Sequence, residues 1–229
     1  MGILVWFFLK MNDKTEQEST STKITLVQVR EVLRLPSVWL LMMIILCAYV
    51  GYKITDVFSL YAQDVMLYDQ VESAKVGTFL LFVRPIVGVF IGVIADRTQI
   101  TFWLIISFAI SFIGALLFAT GIISDSSTAL FLISILVVAT GVYAARSLYF
   151  AVMKKGKIPL ALTGTAVGII SLIGYTPDIF AGPVMGYLLD NSPGEKGHQH
   201  VFWMLALFSV IGVIAAWYYH QLYKKKNYE

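Results

Sequence analysis

Charge is scarce in this chain. Lys, Arg, Asp and Glu make up 14% of its 229 residues, against about a quarter in soluble domains. With 58% hydrophobic residues and a mean hydropathy of +0.78, that scarcity excludes a water-soluble module and places the chain in the membrane class. Cysteine is almost absent. Cys47 stands alone inside an apolar run, so no intrachain disulfide forms and a small packed hydrophobe is expected there. Histidine is nearly as rare: His198, His200 and His220 fall outside the apolar runs or at their edges, where solvated or interfacial roles are expected. No spacing of Cys, His and carboxylates marks a metal, and no cofactor is implied. An enzyme is not expected either. The chain has no nucleophile–base pair and no phosphate-binding glycine loop, and Ser147 and Tyr149 beside Arg146 are a poor basis for catalysis. Nucleic acid is not an expected partner, because the lysines already serve membrane topology.

What the chain has is apolar length. Six runs are long enough to cross a bilayer core, which takes about 20 residues as a helix. They lie near Val38–Ala62, Ala74–Ala95, Thr101–Ile123, Thr128–Met153, Leu160–Leu189 and Val201–Tyr223, with short polar turns between them. The front differs. Residues 1–10, "MGILVWFFLK", are apolar but too short to span. They lack the basic start and cleavage site of a secretory signal, and read as the remnant of a preceding membrane helix. Residues 11–36 read as a polar linker, "MNDKTEQESTSTK", followed by an interfacial helix with Ile24, Val27, Val29 and Leu33 among Arg30, Glu31 and Arg34. The six-helix membrane domain is then 37–223, and 224–229 is a tail.

Charge sets the expected orientation. Lys10, Lys14, Lys23, Arg30 and Arg34 precede the first run, and Arg97 follows the second. Lys154, Lys155 and Lys157 follow the fourth, and Lys224, Lys225 and Lys226 the sixth. If the spans alternate, all twelve fall on one side, and the other side holds only Lys75 and Lys196 among six acids. The positive-inside rule makes the first side, with both termini, cytoplasmic in a multi-pass protein of the inner or plasma membrane.

Five charges remain at bilayer depth: Lys53, Asp56, Arg84, Arg146 and Asp178. Such charges are costly and face a cavity or a partner. Arg84, eleventh in its run, is roughly 15 Å from either end and too deep to snorkel comfortably. Lys53 and Asp56, three apart, share a face and are placed to pair. Helical spacing gathers more polar groups into stripes. The first run has Tyr49, Tyr52, Lys53 and Asp56. The fourth has Thr140, Tyr143 and Ser147 beside Arg146. The fifth has Gly164, Gly168, Ser171, Tyr175, Asp178 and Gly182. Interhelical hydrogen bonding explains one stripe well; three, each with a charge, favour a shared water-filled cavity. In the fifth run, Gly164/Gly168 and Gly182/Gly186 suit close helix packing, and Pro177 and Pro183 suit bending.

The stretch "GVFIGVIADR", Gly88 to Arg97, resembles the signature loop of the major facilitator superfamily, where a glycine-rich helix end runs into Asp-Arg. The continuation "TQITFW" departs from the family pattern, as in a second, C-terminal copy of the motif. Ala145–Asp178 also looks like the fourth and fifth helices of that half. The resemblance covers roughly Ile24 to the C-terminus. It implies an all-α membrane protein in which six transmembrane helices form one half bundle, with an N-terminal six-helix half or a second copy as partner. It also implies that Gly88, Gly92, Asp96 and Arg97 act in gating.

The expected function is the C-terminal half of a secondary active transporter, a symporter moving a small solute by alternating access. Intramembrane cations outnumber acids three to two. That balance favours an anion such as an organic acid or a phosphorylated or sulfonated sugar, although interhelical salt bridges would give the same count. The substrate-binding set is Arg84, Lys53, Tyr49, Tyr52, Asp56, Tyr143, Arg146 and Tyr175. Asp178 is the proton-coupling candidate, because a carboxyl in a low-dielectric site titrates nearer neutrality. The alternative is a truncated or split gene product with no transport activity of its own, needing a separate N-terminal half.

Overall fold

The computed structural model describes residues 26–123, 127–153 and 158–225. The expected helix remnant at 1–10, most of the linker, Asp125, Lys154, Lys155, Lys157 and the last four residues of the tail lie outside these. Among the described residues the chain is all-helical, with six helical stretches long and apolar enough to cross a membrane.

A short helix, α1 (Leu26–Leu33), leads in. It packs on the helix that starts at Leu160 and buries Val32, while Leu26 and Val27 stay exposed, as an interfacial helix requires. Pro36 opens α2 (Pro36–Ile54) at its first turn, where its missing N–H costs nothing. The 3₁₀ turn Thr55–Val57 carries α2 into α3 (Phe58–Asp64), so the first span is one rod with a tightened waist. There Thr55 Oγ1 donates to the Tyr52 carbonyl at 2.7 Å. Asp69 caps α4 (Gln70–Asp96) by accepting from the Glu72 N–H at 2.7 Å. α5 (Ile100–Ala119) and α6 (Thr128–Met153) follow. The fifth span is two half-helices, α7 (Leu160–Gly174) and α8 (Pro177–Asn191), broken at Tyr175–Thr176 just ahead of Pro177. The sixth is α9 (Glu195–Lys225), which starts after Gly194 turns the chain at φ +76°.

α9 therefore begins six residues before the apolar run at Val201. This corrects the expectation for His198. Its side chain shares a face with Val201, Phe202 and Leu205 and is fully buried. Its Nε2 lies 3.1 Å from Asp64 Oδ2, and its ring meets the Tyr61 ring edge-on at 5.2 Å. His220, by contrast, is half-buried with Nδ1 2.6 Å from Thr101 Oγ1.

The core has two parts. Toward the end carrying the acidic loops, Phe58, Tyr61, Phe118, Phe131 and Phe202 form one aromatic cluster, with Phe118 and Phe202 stacked at 4.6 Å. Such rings combine large buried area with specific geometry. Toward the basic end, Leu41, Ile44, Leu104, Leu148 and Ala216 fill the centre. α5, α6 and α9 pack closely, through small residues. A Cβ on Gly141 would meet Ser111 N at 2.5 Å, and one on Gly212 the Phe108 ring at 2.5 Å. Gly164, Gly168, Gly182 and Gly186 do the opposite: an added Cβ at each meets nothing within 4 Å. Close packing of the fifth span falls instead at Gly174, where an added Cβ would meet the Ile45 side chain of α2, and the close backbone approach through glycine lies between α5 and α6. In the second and fifth spans only 17% and 22% of the most apolar window is buried, against 44% or more in the others. These two spans present the open face of the bundle.

Candidate functional site

The intramembrane charges converge from four spans. α2 brings Tyr49, Tyr52 and Lys53, α4 brings Arg84, and α6 brings Tyr143 and Arg146. The break between α7 and α8 brings Tyr175 and Asp178. α2 and α6 pack against each other, with Tyr49 and Tyr143 buried and Tyr52, Lys53 and Arg146 half-buried. Arg84 sits midway along α4, next to Pro85, and the α7–α8 break turns Asp178 toward α2.

One ion pair anchors the cluster. Lys53 Nζ lies 2.8 Å from Asp178 Oδ1, and Tyr49 donates its hydroxyl to Asp178 Oδ2 at 2.9 Å. The pair is partly solvated, so it contributes less to stability than a buried one. The expected pairing of Lys53 with Asp56 does not form. Asp56 lies in the 3₁₀ turn, exposed, with no ion pair among the described residues.

Among the described residues neither arginine forms an ion pair. Arg146 lays its guanidinium over the Tyr52 ring, with Cζ 3.7 Å from the centroid, and over Tyr49 at 5.0 Å. Arg84 Cζ lies 4.5 Å from the Tyr52 centroid and 5.4 Å from that of Tyr143. Cation–π attraction of this kind is worth about 1–2 kcal/mol where water is thin. It leaves the in-plane N–H groups unused. Arg84 Nε and Arg146 Nη1 are buried and have no hydrogen-bond partner among the described residues. A buried donor left unmade costs about 1–3 kcal/mol, more when it carries charge. Lys53 and Asp178 offset each other, and Asp56, within electrostatic range of Lys53 and Arg84, offsets one charge more, so the cluster stays net positive with guanidinium donors to spare.

Tyrosines close the set. Tyr175 meets Tyr49 edge-on at 4.9 Å, and its hydroxyl is 3.4 Å from that of Tyr149. Tyr143 donates to Thr55 Oγ1 at 3.5 Å. Sequence reasoning missed Tyr149 and Thr55. Tyr149 had a signal, three residues past Arg146 on the same helix. On the fourth span the face that meets the cluster runs through Tyr143, Arg146 and Tyr149 rather than Thr140, Tyr143 and Ser147. Ser147 Oγ donates to the Tyr143 carbonyl at 2.8 Å.

The remaining expected site residues stand apart. Gly88 faces Ser147, and Gly92 opens on empty space. Asp96 and Arg97, at the basic end of α4, are exposed and form no ion pair among the described residues. Arg97 is the C-cap residue, where a cation suits the helix dipole. Among the described residues no group of three or more His, Cys, Asp or Glu is placed to hold a metal ion.

Comparison with known proteins gives a coarse placement. The chain is 26% identical over 220 residues to the inner membrane protein YqcE of Escherichia coli K12, covering 93% of this chain and 51% of that protein. It is 27% identical over 229 residues to the inner membrane protein YihN of the same organism, covering 94% and 53%. The chain thus spans about half the length of these curated relatives. No family model and no solved structure matches it. The expected membership of the major facilitator superfamily is corrected accordingly: no family model matches the chain, and the relatives carry no such name. The chain is a membrane protein, all-helical with six candidate spans among the described residues, and similar over nearly all its length to about half of two bacterial inner membrane proteins.

Proposed function

We propose that this chain supplies the anion-binding half of a secondary transporter, and that a small anionic solute binds at mid-membrane between Arg84 and Arg146. The observation that carries this reading is the pair of buried, unpartnered donors, Arg84 Nε and Arg146 Nη1, beside a tyrosine-lined ion pair. A carboxylate, phosphate or sulfonate accepts in-plane from a guanidinium while the ring below keeps its stack. Alternating access needs a second wall around such a site. The open faces of the second and fifth spans, and relatives of twice the length, support a further six-helix unit as that wall. The work is binding and translocation, with no bond made or broken, and Asp178 is the exchangeable group: it holds Lys53 when the solute is absent.

The test uses the purified chain in detergent. Its unfolding midpoint is followed against a panel of citrate, succinate and glucose 6-phosphate, with glucose as the uncharged control. The expected result is a concentration-dependent rise with at least one anion, on the order of 2–3 kcal/mol at a hundredfold excess over Kd. Arg84→Gln is expected to abolish it. Equal responses of wild type and Arg84→Gln, or no response to any anion, would overturn the reading. The cluster would then be an interhelical clasp.

A further inference from the structure

A second charged site lies at the other end of α4, away from the arginine cluster. A cavity of about 420 Å³ opens between the first turns of α4 and α6, lined by Tyr68, Glu72, Lys75, Phe79, Thr128 and Leu132 among others. Glu72 and Lys75 are one turn apart on the same helix, a spacing at which opposite charges usually meet. Here they do not. Neither forms an ion pair among the described residues, and both line the cavity. The Tyr68 hydroxyl, in the same lining, is buried without a hydrogen-bond partner among the described residues. A wall with one separated charge of each sign and a spare hydroxyl fits a zwitterion.

The surroundings say which kind. Glu72 and Lys75 lie in the first two turns of a spanning helix, at the depth of lipid head groups. Below them on the face of Lys75 come Phe79, Phe82 and Ile86, spaced four, seven and eleven residues on and exposed by 39%, 68% and 55%. Leu132 and Leu136, four apart on α6, are both 36% exposed. A charged mouth thus continues into an apolar track leading into the bilayer. That is the profile of an amphiphile with a zwitterionic head, and a soluble zwitterion makes no use of the track. We infer that this cavity seats the head group of phosphatidylethanolamine. Its primary ammonium donates to Glu72, its phosphate accepts from Lys75 and Tyr68, and an acyl chain lies along Phe79 and Phe82. A choline head carries no N–H donors, so the Glu72 carboxylate discriminates against it.

The experiment is native mass spectrometry of the purified chain from micelles containing equal amounts of phosphatidylethanolamine, phosphatidylcholine and phosphatidylglycerol with identical acyl chains. One retained phosphatidylethanolamine, about tenfold favoured over phosphatidylcholine, is expected. Glu72→Gln and Lys75→Gln should each remove the preference, and Lys196→Gln at the same end should leave it. The wild-type comparison stands even if a variant fails to fold. Equal retention of the three lipids overturns the inference. So does competition by soluble glycerophosphoethanolamine as strong as that by the lipid, because the track would then contribute nothing.

Discussion

Arg84 and Arg146 both lie over the ring of Tyr52 and leave their edges free, while Lys53 spends its charge on Asp178. This division of labour makes a specific prediction. Asp178 is the resident anion of Lys53, so it competes with any incoming anion for the same ammonium. Asp178→Asn removes the competitor's charge but keeps a side chain able to accept from Tyr49. Anion binding to that variant, measured by titration of the unfolding midpoint, is expected to tighten several-fold. Lys53→Met is expected to weaken it, and an unchanged affinity in both would remove the pair from the binding step. The five charges themselves are legible in the sequence, because a charge inside an apolar run is costly wherever it points. Their partners are not. The sequence offers Lys53 a nearby acid, Asp56, three residues on. The contact is made instead with Asp178, across the bundle, because the α7–α8 break places that carboxylate nearer. A helical stripe says which residues share a face and nothing about which other helix that face meets.

Elements divide into those that hold the bundle and those that leave it open. α5 and α6 approach so closely at Gly141 that a Cβ there would stand 2.5 Å from Ser111 N and 2.7 Å from the Ser107 carbonyl. Both are helix backbone and cannot swing aside. Gly141→Ala should therefore push the two helices apart and destabilise the protein by about 1–3 kcal/mol, as overpacking does. Gly182→Ala meets nothing within 4 Å and should be neutral or stabilising by up to about 1 kcal/mol, the gain in helix propensity. Thermal unfolding of the two variants in one detergent checks the contrast, and equal losses would refute the packing. Composition pointed to the wrong glycines. Gly164/Gly168 and Gly182/Gly186 carry the small-xxx-small spacing, yet spacing alone cannot say whether a partner helix is present. The spans themselves were readable to within a few residues, because hydropathy and length decide them. The exception is α9. The polar stretch from Glu195 to His200 hides its first turns, and only the inward face shared by His198, Val201 and Phe202 betrays them. The break in the fifth span was announced by Pro177, since the residue before a proline avoids the helical region.

At the scale of the whole molecule the chain is asymmetric in two directions. Across the bundle, α5 and α9 close one side, while the second and fifth spans flank the arginine cluster and stay open. Along the membrane normal, charge separates. The described residues place Arg30, Arg34, Arg97 and Lys224 at one end, with Glu31 and Asp96 as the acids there. At the other stand Asp64, Asp69, Glu72, Asp190 and Glu195, with Lys75 and Lys196 as the cations there. Alternation of six spans is what brings these charges to common ends, so the separation carries topological information that no single loop holds. The positive-inside rule then predicts that the basic end faces the cytoplasm. Single cysteines test this directly, in a background where the buried Cys47 is replaced by Ala. Gln99 and Lys196 are exposed and lie at opposite ends. A membrane-impermeant maleimide applied to spheroplasts should label Lys196→Cys, and should reach Gln99→Cys only after lysis. The reverse pattern would invert the molecule. The mid-membrane arginine cluster would keep its depth, because it lies halfway along α4 from either end, but the phosphatidylethanolamine cavity would move to the cytoplasmic leaflet. Labelling of both cysteines in intact spheroplasts would mean mixed insertion, and the charge asymmetry would then fail to fix the orientation of this chain expressed by itself.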